Sequence, residues 1–206
     1  MEPSQSNRSS ELNVITGFNG TGKSTLIQKF IDLEVSKRKG RVLIVTPDPF
    51  EWKQYPEINI NDKDCFKNMR SPHKIIFDPG TIKKPGTIAL IADEYNGFFD
   101  GLLAFDDCRC YTKSNIQEEL RTLIIRRRQR SHDIIAAGHG ITEIPPVFIT
   151  YANRYSVFYT QDNPDRRKEE LGIAYEPFKK AVADVNAQFN TNPHYFKIIN
   201  ARIDPK

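Results

Sequence analysis

Gly17-Phe18-Asn19-Gly20-Thr21-Gly22-Lys23-Ser24 sets three glycines, a lysine and a hydroxyl side by side. A polyphosphate needs many N–H donors at close range. A glycine-rich turn opening onto a helix N-terminus supplies them, because no side chain stands in the way. In such a loop Lys23 reaches the β- and γ-phosphates and the Ser24 hydroxyl ligates Mg2+. The expected nucleotide contacts are therefore Gly17, Asn19, Gly20, Thr21, Gly22, Lys23, Ser24 and Thr25, with ATP and Mg2+ as cofactors. A dinucleotide fingerprint is excluded, since Gly20-Thr21-Gly22 runs into Lys-Ser-Thr-Leu with no third glycine.

Hydrolysis also calls for one carboxylate at the metal and a second that positions or deprotonates the attacking water, best delivered from the C-terminal end of a strand. The apolar run Gly101–Phe105 ends in Asp106 and Asp107, which are assigned to the metal and to the water respectively. A rival is Ile88-Ala89-Leu90-Ile91-Ala92-Asp93-Glu94. Asp106 is preferred because a helix over 115–129 and a strand over 133–137 follow it in succession, whereas residues 87–99 read better as a helix. His139, between Gly138 and Gly140, stands where a γ-phosphate sensor would, although a lone histidine is as often structural. Arg128, or a neighbour in Arg126–Arg130, is the candidate arginine finger reaching an adjacent subunit's site. Cys108-Arg109-Cys110 lacks the second ligand pair that a tetrahedral metal site requires. Tyr151, Tyr155, Phe158 and Tyr159 alternate as strand residues do and read as core or sheet surface before they read as base-stacking groups.

The elements that would position these groups follow from periodicity. Leu12–Thr16 is a β-favouring run ending at a glycine, and Gly22–Ser36 has apolar residues at helical spacing. Gly40 ends that helix, and Arg41–Thr46 is a second strand closed by Pro47-Asp48-Pro49. A helix between them implies that these two strands are an adjacent, parallel pair. Residues 50–73 show little periodicity and read as an irregular excursion with at most one short helix. Lys74–Asp78, Asp133–Ala137, Tyr155–Thr160 and His194–Ile199 read as strands, and 165–188 as one long amphipathic helix.

The chain has 206 residues, enough for one α/β domain, expected over 11–206 after a disordered leader at 1–10. The leader has no apolar core, and no apolar run approaches the ~20 residues of a membrane helix. Secretion and membrane spanning are therefore not expected, and three cysteines without secretory context point to a reducing compartment. The net charge of +4 is concentrated in Arg126–Arg130 and Arg166-Arg167-Lys168, which suit phosphate but equally suit a solvated helix end.

Taken in order, Gly17–Ser24, Leu102–Asp107, Arg126–Arg130 leading into Asp133–Ala137, His139 and Asn153-Arg154 resemble the FtsK–HerA group of additional-strand P-loop ATPases. Within it, the likeness is to the small genome-packaging ATPases of tailless, membrane-containing viruses, and it covers about residues 11–160. The departures are Asp107, where members usually have Glu, and His139, where many have Gln. The resemblance implies a three-layer, RecA-like fold with a mostly parallel central sheet flanked by helices. It further implies a homo-oligomeric ring with ATP sites at subunit boundaries, non-specific double-stranded DNA in the channel, and capsid or membrane-vertex docking partners. The location implied is host cytoplasm or virion. Filamentous-phage assembly ATPases of the zonula-occludens-toxin type share the group but usually carry a membrane helix. From other classes, a P-loop small-molecule kinase and a slowly hydrolysing nucleotide switch remain as alternatives.

Overall fold

The computed structural model describes residues 10–37, 40–60, 62, 64–81, 83–111 and 114–201. Apart from Ser10, the expected leader lies outside them. Ser10 itself is buried, and its carbonyl accepts a hydrogen bond from Arg127 Nε at 2.9 Å.

Seven strands form one sheet: β1 (Leu12–Thr16), β2 (Val42–Thr46), β3 (His73–Ile76), β4 (Gly101–Phe105), β5 (His132–Gly138), β6 (Arg154–Val157) and β7 (Lys197–Asn200). Their spatial order is β3-β2-β4-β5-β1-β6-β7, parallel except for the antiparallel β6–β7 pair. β1, β2, β4 and β5 are buried along their whole length, as continuous apolar runs covered on both faces must be. Successive side chains point to opposite faces, so each strand feeds two cores. Leu12, Val14, Leu103, Phe105, Ile134 and Ala136 face α3 (Ser114–Ile125), α4 (Pro146–Thr150) and α6 (Tyr175–Gln188). Ile15, Ile44, Leu102, Ala104, Ile135 and Ala137 pack with Ile27 and Ile31 of α1 (Lys23–Lys37). The result is the three-layer, mostly parallel architecture expected.

β1 and β2 run parallel but are not neighbours: β5 and β4 lie between them. A strand–helix–strand unit fixes direction and handedness, not adjacency. With 15 residues, α1 is about 22 Å long and easily crosses the roughly 14 Å of three strand spacings. The consequence is functional. β5 is inserted between the strand that carries the glycine loop and the strand that carries Asp106.

Three helical expectations are corrected. The helix expected over 87–99 is only α2 (Thr87–Ala92), because Asp93 turns extended and its carboxylate accepts from the Tyr95 and Asn96 amides, a turn that competes with the helix. The helix expected to 129 stops at Ile125, and turns follow to Ser131, whose φ is +54°. The long helix over 165–188 is a 3-10 turn (Pro164–Arg167), α5 (Lys168–Leu171), a second 3-10 turn (Gly172–Ala174) and α6. Gly172 makes the break, with φ +53° and ψ −123°, a region L-residues avoid. Leu171, Ala174, Tyr175, Phe178, Ala181 and Val182 are nevertheless all buried, so the apolar spacing runs through the break and conceals it. The excursion after β2 consists of turns and one bridge between Glu57 and Lys74, with no helix among the described residues. No helix is long and apolar enough to cross a membrane.

Candidate active site

The C-terminal ends of β1, β4 and β5 meet at one cleft of about 610 Å³. Asn19, Gly20, Gly22, Lys23, Ser24 and Thr25 line one side, and Asp106, Asp107, Gly138 and His139 another. Residues drawn from three strand ends thus converge, at the sheet edge where α/β proteins bind ligands.

The loop from Gly17 to Gly22 is tied to the sheet by its backbone. Gly17 N–H donates to Gly138 O at 3.2 Å and Phe18 N–H to Tyr159 O at 2.7 Å. The Thr21 hydroxyl, buried, donates to Phe18 O at 2.8 Å. Gly22 has φ +107°, open to glycine and strained for any L-residue. A Cβ on Gly17 would fall on the Phe158 side chain. Phe158 stacks on Phe196 at 4.8 Å, and the His194 ring lies 3.2 Å from Thr21 O, so the segment leading into β7 braces the loop from behind. Lys23 Nζ donates to Gly17 O at 2.7 Å and Phe18 O at 3.0 Å. Burial lowers its pKa, opposed by Asp106 and Asp107.

The two aspartates differ in environment. Burial raises the Asp106 pKa, against hydrogen bonds from Trp52 Nε1 to Oδ2 at 2.8 Å and from the Asp107 amide to Oδ1 at 3.1 Å. Both donors are neutral, and a carboxylate keeps further lone pairs for a cation. A desolvated carboxylate without a cationic hydrogen-bond partner, in one cleft with the Ser24 hydroxyl, fits a divalent ion. Asp107 has φ +46°, and its carboxylate receives Arg109 Nε and Nη2 at 2.8 Å each, which lowers its pKa. Arg109 Nε also lies 3.8 Å from Glu143, and His139 Nε2 lies 3.9 Å from Asp107 Oδ1. Burial lowers the His139 pKa below its ordinary value, helped by Lys23 and Arg109, so the ring is neutral near pH 7.

Arg128 is not brought to this cleft. It is exposed in the turn before β5, at the opposite edge of the sheet. Its neighbours Arg127 and Arg130 are buried: Arg127 donates to Ser10 O and Ile124 O, and Arg130 to the carbonyls of Ile91, Ala92 and Asp93. Asp93, the rival carboxylate, therefore lies at that same far edge. Asn153 caps the start of β1 through Leu12 N–H at 2.9 Å, and Arg154 pairs with Glu11 at 2.8 Å. Cys108 is fully buried and burial pushes the Cys110 thiol up to about 12, so both are protonated; among the described residues no three His, Cys, Asp or Glu side chains gather as a metal site would require of this pair. Tyr155 and Phe158 are core.

Arg109 and His194 line the cleft and Trp52 reaches it from the core through Asp106; pattern reasoning did not single out these three. Arg109 carried a signal in sequence, two places after Asp107. Trp52 and His194 carried none, lying 54 and 173 residues from their partners.

No protein-family model matches the chain, and no curated protein matches it. Among solved structures it is similar to the genome packaging NTPase of Sulfolobus turreted icosahedral virus 2 in complex with sulfate, with a TM-score of 0.62 and 17% identity over 94% of this chain and 92% of that one. The AMPPCP complex of that NTPase gives a TM-score of 0.60 and 16% identity over 93% of each chain. The DNA-packaging ATPase of Sulfolobus turreted icosahedral virus gives 0.61 and 15% over 93% of each. The chain thus has the fold of a P-loop NTPase over nearly its whole length.

Proposed function

We propose that residues 11–206 act as one Mg2+-dependent ATPase domain that translocates DNA, in the manner of a viral genome-packaging motor. The observation that carries the hydrolytic part is the meeting, in one cleft, of the glycine loop with Asp106 and Asp107 across the inserted strand β5. The translocating part rests on the likeness, over 93% of each chain, to a structure described as a DNA-packaging ATPase.

The residues carry distinct roles. Backbone N–H groups of the Gly17–Gly22 loop and the Lys23 ammonium hold the polyphosphate. Lys23 already donates to two loop carbonyls, so phosphate oxygens replace partners of the same kind. Ser24 and Asp106 would hold Mg2+, which when bound supplies charge neutralisation of the β- and γ-oxygens. Asp107 orients the attacking water and accepts its proton. The neutral His139 ring hydrogen-bonds near the transferring group. Asp107 is one methylene shorter than the usual Glu, and its left-handed backbone re-aims the carboxylate at Arg109 and toward His139. Arg128 acts in trans, from a neighbour in a homo-oligomeric ring. The DNA is gripped non-specifically through its phosphates, and docking is to capsid or membrane-vertex proteins, in host cytoplasm or virion.

The test is the steady-state ATPase rate with Mg2+, with and without double-stranded DNA, on concentrated protein. Stimulation of several-fold that fades as salt rises is the expected result, since phosphate contacts release counterions. Turnover indifferent to DNA would leave an ATPase and remove the motor. Turnover that requires a small phosphoryl acceptor would identify a kinase instead.

A further inference from the structure

Asp106 is a half-buried carboxylate whose orientation decides where its free lone pairs point, and one of its two hydrogen-bond donors comes from an unexpected place. Trp52 belongs to the excursion after β2, 54 residues away, and its indole Nε1 donates to Asp106 Oδ2 at 2.8 Å. Trp52 is 7% exposed and belongs to the same core cluster as Ile15, Ile27 and Ala104 under α1. Its backbone has φ +53°, a conformation that costs a bulky residue energy and persists only where the surroundings enforce it.

The surroundings do enforce it. Lys74 of β3, itself buried, sends its ammonium to the carbonyls of Pro49 and Glu51 at 2.7 and 2.9 Å, anchoring the chain just before Trp52. Just after it, the Tyr55 hydroxyl accepts from Gln28 of α1 at 2.6 Å, and the Tyr55 ring stacks on Trp52. The excursion therefore links the helix that begins at Lys23 and Ser24 to Asp106, just past the end of β4. Any buried indole N–H needs an acceptor; here the acceptor is not a backbone carbonyl but the cleft carboxylate whose charged form burial most disfavours.

We infer that Trp52 is a positioning residue for the metal: its indole N–H fixes the Asp106 carboxylate, leaving its remaining lone pairs to the Mg2+ that Asp106 and Ser24 would hold. This rests on the ATPase reading above. Trp52 is the chain's only tryptophan, so its emission reports on Asp106 directly.

Mg2+ is titrated calorimetrically into wild type and Trp52→Phe, each saturated with a slowly hydrolysed ATP analogue. Trp52→Phe keeps an aromatic ring and deletes the N–H. The expected result is an approximately tenfold higher Mg2+ concentration for half-saturation in the variant, equivalent to about 1.4 kcal/mol, with the change confined to metal-containing titrations. An unchanged Mg2+ requirement overturns the inference. A second measurement needs no tryptophan variant: wild-type emission should shift on adding Mg2+ to the analogue complex, and Asp106→Asn should abolish the shift. Emission blind to metal that calorimetry shows to be bound overturns the inference and leaves the ATPase reading standing. A wild type that binds no Mg2+–analogue complex at all overturns both.

Discussion

At the scale of single residues, the site separates groups by environment more than by type. Asp106 and Asp107 are consecutive, yet burial raises one pKa while Arg109 lowers the other. The division keeps Asp107 ionised, as orienting a water requires, and leaves Asp106 without a cationic hydrogen-bond partner, as suits a carboxylate that would hold a metal. Lys23→Ala and Asp106→Ala should each reduce kcat by about 100-fold or more, the order of loss seen when a preorganised charge partner is removed. Asp93→Ala should leave kcat within about twofold, because surface changes remote from a site have small effects; steady-state kinetics with matched Tm values check both. If Asp93→Ala were inactive and Asp106→Ala active, the carboxylate assignment would be reversed. His139 supplies a pH prediction. Burial, with Lys23 and Arg109, lowers its folded pKa below 6.5, so between the folded and unfolded values the unfolded chain binds more protons. Stability should then rise with pH through the window just below 6.5 and level off above it. His139→Gln should flatten that part of the profile, measured as urea midpoints across about pH 5 to 7.

At the scale of elements, local pattern and tertiary context part company in identifiable places. The strand, loop and helix from Leu12 to Lys37 are legible because every signal is local: a β-branched run, glycines, then apolar residues at helical spacing. The strand that precedes Asp106 is legible for the same reason. The 165–188 segment misleads because Leu171, Ala174 and Phe178 keep helical spacing across a break made by one residue. That gives a discriminating experiment. In a continuous helix Gly172→Ala would stabilise by about 1 kcal/mol. At φ +53° and ψ −123° it should instead destabilise by about 1 kcal/mol or more, although open space surrounds the new methyl. Urea unfolding reads the sign. The turns after α3 show the complementary effect: Arg127 and Arg130, which read as solvated charge, are buried and donate to backbone carbonyls, tying the turns to Ser10 at the start of the described chain and to Ile91 and Asp93 at the end of α2.

At the scale of the whole molecule, the parallel sheet sets two edges apart. The cleft proposed to bind nucleotide is at the C-terminal edge, and Arg128 is at the other, separated by the seven residues of β5, about 23 Å. Arg128 cannot serve its own cleft, so any catalytic role it has must be played in a neighbouring subunit. Arg128→Ala and Lys23→Ala should each be inactive alone, and a mixture of the two should regain measurable ATPase, because some interfaces then pair an intact Lys23 with an intact Arg128. A mixture as inactive as its components would remove Arg128 from the role.

By itself the sequence determined the glycine loop between β1 and α1, the carboxylate pair that follows β4 and the α/β class, because each is written in residues close together in the chain, where backbone geometry and side-chain alternation act directly. Only the tertiary structure decided that β5 separates β1 from β4, that Trp52 holds Asp106, that Arg109 occupies Asp107, and that His194 and Phe196 brace the loop. Those contacts join segments distant in sequence, and their partners are selected by which surfaces meet when the two cores close around the sheet. Nothing in the local pattern of residues 50–73 distinguishes a tryptophan that packs from one that also aims its N–H at a buried charge. The difference is a direction in space, fixed by Lys74 on one strand and Gln28 on a helix.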